Sequence, residues 1–329
     1  HSDEAVELCR AAVARAELAD DHALATIYEV EALLRAARYE EAVRVALDGA
    51  AAGQRAGFDR SMGGYLSAMA VEALTHLGRW DEARLLLDRL GGVDAVPVTK
   101  VRLALAGAAL GEAFVLAAQA DVALHAGDVT AALVAVDTAT GATCTRDARW
   151  QPRFALLAAA ASVELVLDAR AHREPLDEHA VIGEVRARIA AARSASTPAP
   201  DGAVPVDASV HLAHAEAVLT TLTGADPDAW ARAAEGWQRV GDPWATAVAQ
   251  LREAEAAVVC GDASRAADRL RAAHAAATEL GAAPLVEAVD AVATRSRIRV
   301  DAPLPAALDD AQTMRLGLTS REAEVLSLV

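Results

Sequence analysis

The run DPDAWARAAEGWQRVGDPWATAVAQLREAEAAVVCGDASRAADRLRAAHAAATEL, residues Asp226–Leu280, holds three helices separated by two glycine-aspartate stops. Trp230, Ala234, Trp237 and Val240 recur three or four residues apart, which predicts a helix over Pro227–Val240 with these side chains on one face. Gly241-Asp242-Pro243 ends it. Glycine accepts the left-handed cap, aspartate caps the next helix, and Pro243 sits in a first turn, where a missing N–H costs nothing. A second helix is expected over Trp244–Val259 and a third over Ala263–Leu280, with Gly261-Asp262 between them. Each such hairpin has an apolar face too wide to bury alone, so it must stack on its neighbours, and stacked hairpins make a solenoid.

Composition supports an all-α chain. Of the 329 residues 54% are hydrophobic but only 3% aromatic, so the apolar content is mostly alanine, leucine and valine. Alanine is the best helix former and lets helix axes approach closely, whereas the residues that strands favour are scarce or isolated. The most apolar stretches, Val101–Leu124 and Phe154–Leu167, are interrupted by Arg102, Glu112 and Asp121 in one and by Glu164 in the other, so no membrane-spanning helix is expected. The opening His1-Ser2-Asp3-Glu4 is acidic where a signal peptide is basic, and it reads as the start of a fragment.

The net charge is −16 and Lys100 is the sole lysine. So acidic a body repels a phosphate backbone, which excludes it as a nucleic-acid-binding surface. Cys9, Cys144 and Cys260 are odd in number, far apart and without metal-ligand spacing; they read as free thiols in a reducing cytoplasm.

Along the chain, helices are expected over Glu4–Ala19 and His22–Ala37, and Arg38-Tyr39-Glu40-Glu41-Ala42 opens a third. Related phrases return at Gly78-Arg79-Trp80-Asp81-Glu82-Ala83, at Gly127-Asp128-Val129 with Ala131-Ala132, and at Gly261-Asp262-Ala263 with Ala266-Ala267. This irregular recurrence resembles a tetratricopeptide-like array of helical hairpins rather than a strict consensus repeat. Gly91–Pro97 reads as a loop before a long apolar helix pair over Val101–Thr138. Ser194–Val206, with Pro198, Pro200, Asp201, Gly202 and Pro205, reads as an exposed loop that divides the array into two lobes. The array is assigned to residues 1–298 and a linker to residues 299–317.

Leu318-Thr319-Ser320-Arg321-Glu322-Ala323-Glu324-Val325-Leu326-Ser327-Leu328-Val329 begins another helix: Thr319 and Glu322 form a capping box, and Val325, Leu326 and Val329 share a face. These residues resemble the opening of a LuxR-type helix-turn-helix domain. Trp237, Gly241, Asp242, Pro243, Ala247 and Leu251, continuing through Gly261-Asp262 to Pro284, are similar to the end of the tetratricopeptide-like arm that precedes that domain in large LuxR-type regulators. The resemblance implies a cytoplasmic sensor arm between an N-terminal nucleotide-binding domain, which uses ATP, and a DNA-binding domain. Both would lie outside this chain, so no DNA-binding residue is assigned here and DNA is reached only through the other domain. Lys100 follows Pro97-Val98-Thr99, which is no phosphate-cradling loop. The partners implied are the chain's own flanking domains, a small-molecule inducer or a partner protein, and further copies of itself.

The ligand-binding residues proposed from sequence are Trp230, Trp237 and Trp244, whose broad faces suit a sugar ring or an apolar inducer; the competing expectation is packing between helices. His211, His214 and Glu216 lie within two turns but lack further announced ligands, so no metal site is assigned. Arg149, Arg153, Arg170, Arg173, Arg186, Arg188 and Arg193 can clamp an anion or pair with neighbours such as Glu174, Asp177 and Glu184. No catalytic motif of the HExxH or GxSxG kind appears, so no catalytic residue is assigned. Two alternatives remain beside the sensor arm: a scaffold that docks a peptide or partner protein without a small-molecule ligand, and an all-helical enzyme.

Overall fold

A computed structural model describes residues 2–16, 19–55, 63–90, 107–141, 150–196 and 206–300. These residues form α-helices and short turns, with no strand among them. The helices are α1 (Ser2–Arg15), α2 (Ala19–Arg35), α3 (Tyr39–Arg55), α4 (Gly64–His76), α5 (Trp80–Arg89), α6 (Gly107–His125) and α7 (Val129–Gly141). They continue as α8 (Gln151–His172), α9 (Glu178–Ala195), α10 (Val206–Thr223), α11 (Pro227–Val240), α12 (Pro243–Cys260), α13 (Ala263–Glu279) and α14 (Ala283–Ser296). The expected loop at 91–97, most of the loop at 194–206, residues 301–317 of the linker, and the LuxR-like segment 318–329 lie outside the described residues.

The recurring sequence phrase corresponds to one recurring turn. At each copy the residue after the turn donates its N–H to a carbonyl five positions back: Arg38 to Leu33, Arg79 to Leu74, Asp128 to Ala123, Asp242 to Trp237, Asp262 to Ala257 and Ala282 to Ala277. The residue before that donor is left-handed, as at Gly241 with φ 83°, and this geometry satisfies carbonyls that a helix end would leave bare. Aspartate then starts the next helix: Asp128, Asp242 and Asp262 each accept the N–H three residues on, at 2.9, 2.9 and 3.0 Å. Where Arg79 replaces aspartate, no side-chain cap forms, and its guanidinium instead grips Glu82 at 2.6 and 2.7 Å.

Each helix packs on the next, and α2 with α4, α4 with α6, α6 with α8, α8 with α10 and α12 with α14 also touch. The even-numbered helices therefore form an inner row from α2 to α10, continued by the α12–α14 pair, whose Ala249 and Ala256 share an apolar cluster with α10. Their sequences fit that place: Ala68, Ala70 and Ala73 on α4 and Ala158, Ala159 and Ala161 on α8 are all buried, the small side chains allowing close contact on several sides. Odd-numbered helices keep one apolar stripe. On α13 that stripe is Ala266, Leu270, Ala273 and Ala277, all 0% exposed, while the polar side faces out.

The two ends of the row meet. Trp244 and Leu280, from the α12 start and the residue after α13, pack against the cluster built by α1–α6. The left-handed Gly78 lies so close to α14 that a Cβ there would stand 2.3 Å from Pro284 Cγ. A seam thus joins α4 to α12 and α14.

Candidate functional site

The seam begins with His76, the last residue of α4. Its ring stacks on Trp244 at a centroid distance of 4.9 Å and an interplanar angle of 18°. Tyr39, at the start of α3, meets the same imidazole edge-on at 4.8 Å. Burial lowers the His76 pKa against the opposing pull of Glu72, Asp242 and Asp121, so the ring is neutral. Its Nδ1 is buried with no hydrogen-bond partner. Tyr39 is pushed far above the ordinary phenol value by burial, then by Asp242 and Glu72, and stays protonated.

Behind the rings sits a charged group. Arg153 of α8 reaches Glu72 of α4 and Asp121 of α6, each at 3.3 Å. Two carboxylates share one guanidinium here, and burial raises the Asp121 pKa despite Arg153 beside it. Arg153 in turn lies over the Trp150 ring at 5.6 Å. The group ties three successive inner helices together, close enough to His76 for all three charges to act on it.

The sequence-assigned tryptophans do not form one surface. Trp230 and Trp237 are 4% and 6% exposed and take part in the core between α10 and α11. Trp237 Nε1 donates to His214 Nδ1 at 3.0 Å, and His211 meets the Trp237 ring edge-on at 4.8 Å. Both rings are therefore engaged in packing between helices: Trp237 with His211 and His214, and Trp230 with His214 at a centroid distance of 5.5 Å. Trp244 stands apart at the seam, where His76 takes one face.

His214 spends its Nδ1 on Trp237, and Glu216 pairs with Arg193, so the suspected His211, His214, Glu216 set is committed to packing and pairing. Among the described residues no group of three or more His, Cys, Asp or Glu side chains could hold a metal. The arginines also separate. Arg170 pairs with Glu178 at 2.6 Å and Arg188 with Asp137 at 2.6 Å, whereas Arg149 lies outside the described residues. Among the described arginines of this set, Arg153 faces inward to the charged group.

A groove of about 730 Å³ runs along the α1–α2 hairpin to Val240 at the end of α11. Arg35 lines both this groove and a second hollow of about 450 Å³ that reaches Asp242, Thr246 and Ala276. Glu72, His76 and the α1–α2 groove escape a reading of sequence pattern. Isolated charges inside apolar helices, Glu72 and Asp121, are the one available signal, because such a charge must find a partner.

No protein-family model and no curated protein matches the chain. Among the described residues no helix is long and apolar enough to cross a membrane.

Proposed function

We propose that this chain is the tetratricopeptide-like sensor arm of a cytoplasmic LuxR-type transcriptional regulator, one that carries no reaction of its own and couples the binding of an inducer or partner to flanking nucleotide-binding and DNA-binding domains. The observation that carries the reading is the seam. A row of packed hairpins is a continuous elastic object, but a contact between its ends is either made or broken, and a ligand that prefers one state shifts the balance. Pro284 against Gly78 places α14 in that contact, and in sequence α14 leads on to the LuxR-like residues 318–329. Opening the seam would move the attachment of whatever follows.

Buried polar groups at the seam support a two-state contact. His76 leaves Nδ1 unpartnered, an arrangement less stable than an apolar joint of the same size, and Glu72 and Asp121 share Arg153 on the α4 side of the seam.

A thermal-shift screen of this chain against a metabolite panel tests the reading, followed by X-ray scattering on each hit. An inducer should raise the melting midpoint and change the radius of gyration in the parent chain, and the size change should vanish in Trp244→Ala. Stabilisation without any change in size, or no stabilisation by any compound or partner domain, would remove the sensor-arm reading. Stabilisation by protein partners alone favours the docking scaffold, and the groove beside the seam is the observation on that side.

A further inference from the structure

We infer that the groove on the α1–α2 hairpin docks an amphipathic helix of a partner protein, one whose apolar stripe is flanked by lysine or arginine. Leu8, Leu24 and Tyr28 are large apolar side chains left 67%, 44% and 54% exposed, and all three line this one groove. Isolated exposed apolar residues are ordinary, but a cluster along a channel is the mark of an interaction surface. Its floor is small: Ala5 and Ala12 from α1, Ala25 and Ala32 from α2. Alanine on both sides lets a third helix axis come close, with Leu24 and Tyr28, one turn apart, as the ridge it packs against.

Length separates a helix from a small molecule as occupant. On α2 the lining runs from Asp21 to Arg35, which at the helical rise is roughly 20 Å, the length of a helix of three to four turns. Through Arg35 and Ala36 it continues into the hollow beside Asp242. A compact metabolite would leave most of that channel empty.

Charge separates a basic partner from a second copy of this chain. The two hollows are lined by three carboxylates, Asp21, Glu31 and Asp242, against one guanidinium, Arg35, which already pairs with Glu31 at 2.8 Å. A second copy brings a net charge of −16 to an acidic channel, whereas lysine or arginine beside the apolar stripe meets opposite charge and is drawn in by the field of the whole body. Because the channel runs from α2 past Val240 and Asp242 to Thr246 and Ala276, an occupant touches both α2 and the α11–α13 side and holds the seam shut. The docking site stands on its own geometry and does not require the LuxR reading.

The test uses the full chain and two labelled helical peptides with leucine at positions i, i+3, i+4 and i+7, one flanked by lysine and its twin by glutamate. In fluorescence anisotropy the lysine peptide should bind, weakening with salt, and the glutamate twin should bind at least about tenfold less well. Leu24→Glu should weaken binding by about tenfold or more with an unchanged circular dichroism spectrum, whereas Val259→Glu, on an exposed face of α12, should not. Cys9 lines the groove and Cys260 does not, so the bound peptide should slow iodoacetamide modification of Cys9 only, read by mass spectrometry. The Cys9 readout needs no variant and holds if Leu24→Glu fails to fold. Equal binding of both peptides, no protection of Cys9, or no binding at all overturns the inference. So does self-association of the chain that Leu24→Glu abolishes, which would make a second copy the occupant.

Discussion

Trp237 Nε1 donates a hydrogen bond of 3.0 Å to His214 Nδ1, and both side chains are buried. An acceptor at Nδ1 requires that nitrogen to be unprotonated, so the folded chain holds His214 neutral with its proton on Nε2. Burial first, then the nearby His211 and Arg252, lower its pKa to about 3 from an ordinary 6.5. His76 at the seam is lowered as well, again chiefly by burial.

The sign of the pH dependence follows from those two groups. Below pH 6.5 the unfolded chain binds protons that the folded chain excludes, so their contribution is fully present above that value and falls with acidity, for His214 through the range from 6.5 down toward 3 and for His76 in the same direction. His214 removes about 1.4 kcal/mol per pH unit within its window. Urea midpoints measured at steps between pH 7.5 and 5 should therefore fall with acidity. His214→Gln retains an acceptor for Trp237 and should flatten the profile; an unchanged slope in that variant would count against His214 as its source.

At the seam, Trp244→Ala removes the ring stacked on His76. Since Trp244 is only partly buried, the cost should be about 2–3 kcal/mol, at or below the low end for a buried aromatic truncated to alanine. The helical signal should stay while scattering reports a larger radius of gyration. A variant that loses helix and size together would show that Trp244 holds the fold rather than the joint.

Gly78 and Gly127 both sit at φ 73°, but a Cβ at Gly127 meets nothing within 4 Å, whereas one at Gly78 runs into Pro284. Gly127→Ala should cost only the left-handed backbone penalty, about 1–2 kcal/mol. Gly78→Ala should cost that plus the separation of α4 from α14. Adding Pro284→Ala should recover the second part alone, and a double-mutant cycle in urea measures it.

Arg153→Met leaves Glu72 and Asp121 without their shared cation. The loss should be about 3 kcal/mol, the lower part of the range for a broken buried pair because Arg153 retains 19% exposure. Making the companions neutral, with Glu72→Gln and Asp121→Asn in the same chain, should restore much of it. Denaturation of the single and triple variants decides this, and equal stabilities would mean the three charges do not act as one group.

Much of the local architecture was legible in residues close together along the chain. The helix predicted over Pro227–Val240 is found with those bounds, and the ones expected over Trp244–Val259 and Ala263–Leu280 are found as Pro243–Cys260 and Ala263–Glu279. At the N-terminus the match is looser: Ser2–Arg15 and Ala19–Arg35 stand where Glu4–Ala19 and His22–Ala37 were expected, because no glycine or proline marks the break between them. The repeated glycine-aspartate turns were readable too, since a left-handed cap and an N-cap are chosen by the chemistry of two adjacent residues.

Residue spacing alone determined the helices, their stops and the apolar stripe that forces them to stack. It could not decide what Trp230, Trp237 and Trp244 face: periodicity places a side chain on a side of its helix, whereas the neighbour across that side comes from elsewhere in the chain. Tertiary structure assigned Trp237 to His214, Trp244 to His76, and Glu72 and Asp121 to Arg153. The Trp244–His76 pairing depends on where the ends of the inner row meet, and that position accumulates from every helix crossing between α4 and α12, a sum that no single segment encodes; the other two depend on how neighbouring helices cross.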